Sequence, residues 1–284
     1  MKLLIHCLPC TTALLLCMAM PAPALAAPIL ASAQSFSVLA GAAVSSTGAT
    51  AINGAVGVAP GTALTGLVLS SIDGTVHGGD ALALQAQADA DAASGLLAGL
   101  AFTRDLSGQD LGGLTLTSGI FLLSSFAQLT GTLVLDAQHQ ANALFVFQIG
   151  TTLTTSTASM VEIINGGADT GVFFDVGTSA TLGAGTIFAG NIIAAQSVTL
   201  NVGASVLCGR VIARHAAISL DNNLISNDCA DGGAFGLGRT DFGSAGFSGN
   251  AVATTPPASV PEPSSLGLVM AALLGLGYRR ARPA

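Results

Sequence analysis

Short apolar runs separated by Gly, Ser, Thr and Asn return about every nineteen residues through the C-terminal half of the chain. Ala180-Thr181-Leu182, Val198-Thr199-Leu200 and Ile218-Ser219-Leu220 make one row. Thr186-Ile187-Phe188, Ser205-Val206-Leu207 and Asn223-Leu224-Ile225 make a second. Val172-Phe173-Phe174, Asn191-Ile192-Ile193 and Arg210-Val211-Ile212 make a third. The steps within rows are 18 and 20, 19 and 18, and 19 and 19. Three strand-like pieces per repeat predict a three-sided β-solenoid, in which equivalent side chains of successive coils stack into ladders. The outward positions of these ladders are Thr and Ser rather than charged residues.

Strand patterning extends upstream. Phe36-Ser37-Val38-Leu39-Ala40-Gly41 opens the body, and Gly- and Thr-rich turns run to Gly66. Leu114-Thr115-Leu116, Gly119-Ile120-Phe121-Leu122, Leu133-Val134-Leu135 and 143–147 also read as strands. Between them, residues 81–100 hold only Ala, Leu, Gln, Asp, Ser and Gly. Ala and Leu favour helix and Asp80 is a preferred N-cap. Leu82, Ala86, Ala93, Leu97 and Leu100 fall on one stripe, so a single helix is expected to lie along one solenoid face. The class is all-β, a solenoid with one long helix packed alongside.

Both ends read differently. Lys2, an apolar run over 3–20 and the small-x-small Ala24-Leu25-Ala26 predict a signal peptide over 1–26. Cys17 raises lipoprotein processing, against which Leu16 is too large. Residues 27–229 form the body. Residues 230–259, rich in Gly, Ala, Ser and Thr, have too few large apolar groups for a core and predict a flexible linker. Residues 260–284 bring Pro261-Glu262-Pro263, an apolar run over 266–278, then Arg279, Arg280 and Arg282. In parts and order this resembles the PEP-CTERM sorting signal of Gram-negative bacteria. The resemblance implies an exosortase-type partner, a transient membrane contact through the apolar run, and delivery to the cell surface or release. A plain C-terminal anchor is the alternative, and it too places the protein outside the cytoplasm.

Charge narrows the partners. Between residues 27 and 229, twelve acidic residues face only Arg104, Arg210 and Arg214, a net of −9. Nucleic acid is a poor partner, because its binding needs a basic stripe. Removal of the leader leaves Cys208 and Cys229, 21 residues apart and thus one coil apart. They are expected either as a disulfide, which an exported chain retains, or as two buried thiols. Bonded, they would tether the last coil of the stack, which has a neighbour on one side only. Acidic residues sit singly at turn positions, and His77, His139 and His215 lack metal-ligand spacing. Neither an enzyme nor a metal or cofactor site is expected.

Across about residues 29–228 the chain is similar to the secreted β-solenoid ice-binding proteins of bacteria and fungi. The similarity rests on phrases in order: FSVLAG from Phe36, INGAVGVAPGT from Ile52, TVHGGDA from Thr75, LGGLTLTSGIF from Leu111, LTGTLVLDA from Leu129 and NALFVFQIGTTLTT from Asn142. GVFFDVG from Gly171, SATLGAGTIFAGNIIA from Ser179 and GRVIAR from Gly209 complete the series. The resemblance implies a discontinuous right-handed solenoid of triangular section and an ice crystal surface as the partner.

Adsorption to ice asks for a flat, stiff face of hydroxyls and methyls at lattice-like spacing. The resembling family carries Thr-(Ala/Gly)-x-(Thr/Asn) units, matched here by Thr47-Gly48-Ala49-Thr50 and Thr62-Ala63-Leu64-Thr65. The resemblance extends the candidate face to Thr157, Ser159, Thr186, Ser205 and Asn223, with Gly183 and Val202 as departures where Thr would complete a unit. If these are ordinary β-favouring residues on an exposed sheet, the alternative is a non-catalytic surface or matrix protein in contact with exopolysaccharide. The absence of Trp, with Tyr278 the sole Tyr, weakens its sugar-binding form.

Overall fold

The computed structural model describes residues 28–167, 169–229 and 246–249. The expected signal peptide, most of the linker and the sorting segment lie outside the described residues. The body is a right-handed three-sided β-solenoid of parallel strands with one α-helix against it.

The first face is a seven-stranded sheet in the spatial order Ala127–Leu129, Leu153–Thr155, Ala180–Leu182, Val198–Leu200, Ile218–Asp221, Ala43–Thr47, Ala63–Thr65. The second face stacks Thr115–Thr117, Thr132–Asp136 and Met160–Ile164, then the leading halves of Ile187–Ala194 and Ser205–Ala213, then Leu224–Ser226, Ala51–Asn53 and Ile72–Asp73. The third face stacks Gly119–Leu123, Leu144–Ile149 and Gly171–Val176, the trailing halves of the two long strands, then Phe36–Ala40, Ala55–Val58 and Val76–Gly78. The long strands turn from second to third face at a register break beside Gly190, whose φ of +103° suits glycine. Inside, Phe121, Phe147, Phe174 and Phe188 form a stack with ring centroids 5.0, 4.5 and 4.7 Å apart, within the range of favourable aromatic pairs.

The coil holding Cys208 is not terminal, contrary to expectation. Val38 pairs with Val211, Val44 with Ile218 and Ala51 with Leu224. The N-terminal coils therefore stack behind the C-terminal one, which lies inside the pile. Cys208 and Cys229 are joined in a disulfide, Cα–Cα 4.6 Å, on an internal coil. Two rows also shift by one residue. Ser205 lies level with Ile187 and Leu224, and Ile192 with Phe174. A one-residue slip turns a side chain to the opposite face.

The helix, Ala81–Ala98, is capped by the Asp80 carboxylate, which accepts from the Ala83 N–H at 2.9 Å. Ala83, Ala86, Ala90, Ala93 and Leu97 are buried, whereas Leu82 points to solvent at 62 % exposure. The Ala-rich stripe lets the helix approach Leu39, Val146, Phe173, Ile193 and Ile212, the outward side chains of the third face. Polar ties fix it: Gln148 Nε2 donates to the carbonyls of Leu97 and Leu100, both at 2.8 Å, and Ser94 Oγ to Asp175 Oδ1 at 2.6 Å. The third face is thereby removed from solvent contact along the helix.

Burial under the helix raises the Asp175 carboxyl above 3.8, offset in part by the Ser94 hydroxyl and the Arg214 charge. A raised folded-state pKa favours folding while the group is protonated and is lost as pH rises through it. Asp175→Asn, which keeps the acceptor for Ser94, should thus raise Tm at pH 7 by about 2 °C. The gain should vanish toward pH 3, as thermal melts of both proteins across that range will show.

Candidate functional site: the seven-stranded face

Six strands of the first face hold a polar residue between two buried ones, which points it outward, and in Ala63–Thr65 Leu64 turns inward and Thr65 outward. Strand register puts those centres in a single ladder: Gln128, Thr154, Thr181, Thr199, Ser219, Ser45 and Thr65. Six of the seven carry a hydroxyl and none is charged, which makes this the most uniform row of the solenoid. Adjacent strands repeat at about 4.8 Å, and alternate residues along a strand lie about 6.7 Å apart. Flanking rows continue the chemistry. Ser179 and Ser197 hydroxyls meet at 3.0 Å on one side, and Thr130 and Ser156 at 3.3 Å on the other. Thr47 and Asp221 pair in the latter row, which brings one carboxylate to the rim of the face.

Rigidity comes from two sources. Every inner strand is hydrogen-bonded on both sides, and Thr is stiff at χ1. Beneath the ladder, Val44, Leu153, Leu182, Val198, Leu200 and Ile218 are buried.

The second face differs. Its corresponding row is Thr132, Met160, Ile187, Ser205, Leu224 and Ala51, and Glu162 and Asp73 interrupt the surface. It is neither uniform nor uncharged.

The residues singled out from the sequence distribute unevenly. Thr65 belongs to the ladder, Thr47 flanks it, and Thr62 and Thr157 are exposed at its margins. Ser205 sits on the second face. Thr50, Ser159, Thr186 and Asn223 are buried, at 3, 1, 0 and 2 % exposure, which removes them from any surface contact. They line the corner between first and second faces, where the chain turns and backbone groups need partners. Thr186 Oγ1 meets Thr155 Oγ1 at 2.8 Å, and Ser159 Oγ donates to the Leu129 carbonyl at 2.9 Å. Thr50 Oγ1 accepts from Ser46 Oγ at 2.8 Å, and Asn223 Nδ2 donates to the carbonyls of Ala204 at 2.8 Å and Asn201 at 3.0 Å. Gly183 is no degraded Thr: a Cβ there would lie 2.6 Å from the Thr155 carbonyl oxygen. The Thr47-to-Thr50 unit therefore ends in the corner, whereas the Thr62-to-Thr65 unit ends on the ladder. Sequence reading passed over Gln128, Thr154, Thr181, Thr199, Ser219 and Ser45 as site residues.

Among the described residues no group of three or more His, Cys, Asp or Glu is placed to hold a metal. What the first face offers is an extended plane of hydroxyls and methyls with no cleft.

A helix-backed triangular solenoid with one flat hydroxyl sheet defines a class of surface-adsorbing proteins. Residues 38–226 match the model of the Ice-binding-like family, and the chain belongs to that family. Residues 259–282 match the PEP-CTERM protein-sorting motif, which implies export. An ice-binding protein of Nostoc sp. (strain HG1) is 48 % identical over 201 residues, covering 71 % of this chain and 74 % of that one. The crystal structure of an ice-binding protein from the Antarctic ascomycete Antarctomyces psychrotrophicus superposes with a TM-score of 0.66 at 36 % identity. That match covers 70 % of this chain and 98 % of the other. An ice-binding protein from an Arctic yeast, whose structure was described as the basis of its antifreeze activity, gives a TM-score of 0.66 at 26 % identity, over 70 % and 94 % of the two chains.

Proposed function

We propose that this protein adsorbs to ice crystals through the seven-stranded face, without catalysis, and so limits freezing damage and recrystallisation outside the cell. The single observation that carries the reading is the uncharged ladder from Gln128 to Thr65. Charged side chains hold their own hydration shells. A plane of stiff methyls and hydroxyls instead lets interfacial water take up a regular arrangement that merges with the lattice. No single contact is strong. Many of them, fixed on one rigid plane, give attachment without paying side-chain entropy on binding.

The sorting motif supports delivery to the surface of a Gram-negative cell by an exosortase-type machinery that acts on the segment around Pro261, Glu262 and Pro263. Such a location brings surface exopolysaccharide within reach. Phe102 and Phe126, half exposed beside the first coils, are the rings on which a sugar would stack.

Partition into a slowly growing ice hemisphere, followed by a recrystallisation assay, tests the function. The exported protein should enter the ice and hold grain size at micromolar concentration. Exclusion of the protein together with free coarsening of the grains would overturn the reading.

A further inference from the structure

Residues 246–249 lie inside the stretch expected to be a flexible linker, yet they are packed on the body. Phe247 is fully buried and Ser248 is 5 % exposed. The Phe247 carbonyl accepts from the Val172 N–H and from Asn191 Nδ2, both at 2.9 Å. The Gly246 carbonyl accepts from Arg210 Nη1 at 2.9 Å, and Ser248 Oγ from Gln34 Nε2 at 3.0 Å. Ser248 also bridges to Gly171, where an added Cβ would stand 3.1 Å from the Gly249 Cα.

The receiving groups are built into the fold. Arg210, at 1 % exposure, is the largest fully buried side chain and also donates to Asn191 Oδ1 and to the Gln34 carbonyl. Burial lowers its guanidinium to about 9. Asn191 and Arg210 each follow a vertex glycine, Gly190 or Gly209, and are paired in register. They stand where the second face turns into the third. In a triangular section that vertex is opposite the first face.

We infer that this vertex is a docking site for residues 246–249, and that it fixes the exit of the C-terminal segment on the side opposite the hydroxyl ladder. Pro261 then lies only 12 positions beyond Gly249, a reach of at most about 40 Å. Counted from Cys229 the separation is 32 residues, about 110 Å fully extended. A short lead from the far vertex turns the seven-stranded face away from whatever surface holds the tail. The role given to that face rests on the proposed ice binding; the docking does not.

The test uses residues 27–284, which lack the leader cysteines Cys7, Cys10 and Cys17, and involves no ice. Ala251→Cys carries a maleimide-benzophenone photocrosslinker, while Cys208 and Cys229 stay silent in their disulfide. Adducts should fall on peptides covering residues 28–35 and 227–229 and be absent from residues 179–201. In a background of Phe247→Asp they should spread over both. Amide exchange at Val172 should quicken about tenfold or more in Phe247→Asp, while that at Thr181 and Thr199 stays unchanged and reports an intact body. Adducts on the first face of the parent protein, no adducts on the body, or equal Val172 exchange with and without Phe247 would each overturn the inference.

Discussion

Thr199→Tyr is expected to abolish ice activity while leaving the fold intact. Thr199 sits on the fourth of the seven strands, between Thr181 and Ser219, so a ring there stands proud at the centre of the plane. The face is stiff and cannot bend around it, and ladder contacts on both sides are lifted off the crystal together. Thermal hysteresis should fall at least about tenfold at equal concentration. Outward positions contribute little packing, so stability should change by about 0.5 kcal/mol or less. Ser205→Tyr, on the second face, is the matched control and should retain activity. Equal loss from both variants, or retention in Thr199→Tyr, would remove the first face from the mechanism.

Thr186→Tyr should do the reverse and damage the fold. Thr186 is fully buried at the corner, with its hydroxyl 2.8 Å from Thr155 Oγ1 and 3.2 Å from the Ser156 carbonyl. A ring has no space there, and overpacking costs about 1–3 kcal/mol. The lost bonds of Thr186 to the Thr155 hydroxyl and the Ser156 carbonyl add about 1–3 kcal/mol. At about 2–4 °C per kcal/mol for a body of this size, Tm should fall by roughly 10 °C. Calorimetry of the variant beside Thr199→Tyr reads the contrast directly. A melt equal to the parent would show that the corner tolerates expansion and that its hydrogen bonds carry little.

The different fates of two Thr residues show how far the sequence could be read. Row periodicity and the in–out–in triplets identify the solenoid, and the centre of each first-row triplet was already visible as Thr or Ser. Thr-x-x-Thr spacing points elsewhere: of its two full units one ends in the corner at Thr50 and only the other reaches the ladder, at Thr65. Strand identity survives an error of one residue and side-chain direction does not. Hence Ser205, expected level with Thr186, lies level with Ile187. Helix composition predicted the helix and Ala86, Ala93 and Leu97 on its buried stripe, but Ala83 and Ala90, too small to stand out as hydrophobic, complete that stripe in place of Leu82. Burial of Phe247 has no local signal, since its partners Val172 and Asn191 lie 75 and 56 residues away in sequence. A linker-like composition says only that a stretch cannot fold by itself.

The stacking of N-terminal coils behind the C-terminal one bears on the order in which the molecule is completed. Val38 pairs with Val211, and Ala51 with Leu224, each across 173 residues of chain. A chain threaded across a membrane from its N-terminus delivers residues 36–78 first, yet their pairing edge on strands 205–226 arrives last. Contacts between so distant partners close slowly. The early coils must wait on the far side with bare strand edges, which are templates for aggregation. For a chain delivered unfolded from its N-terminus, the seam between residues 205–226 and 36–53 is the last to close.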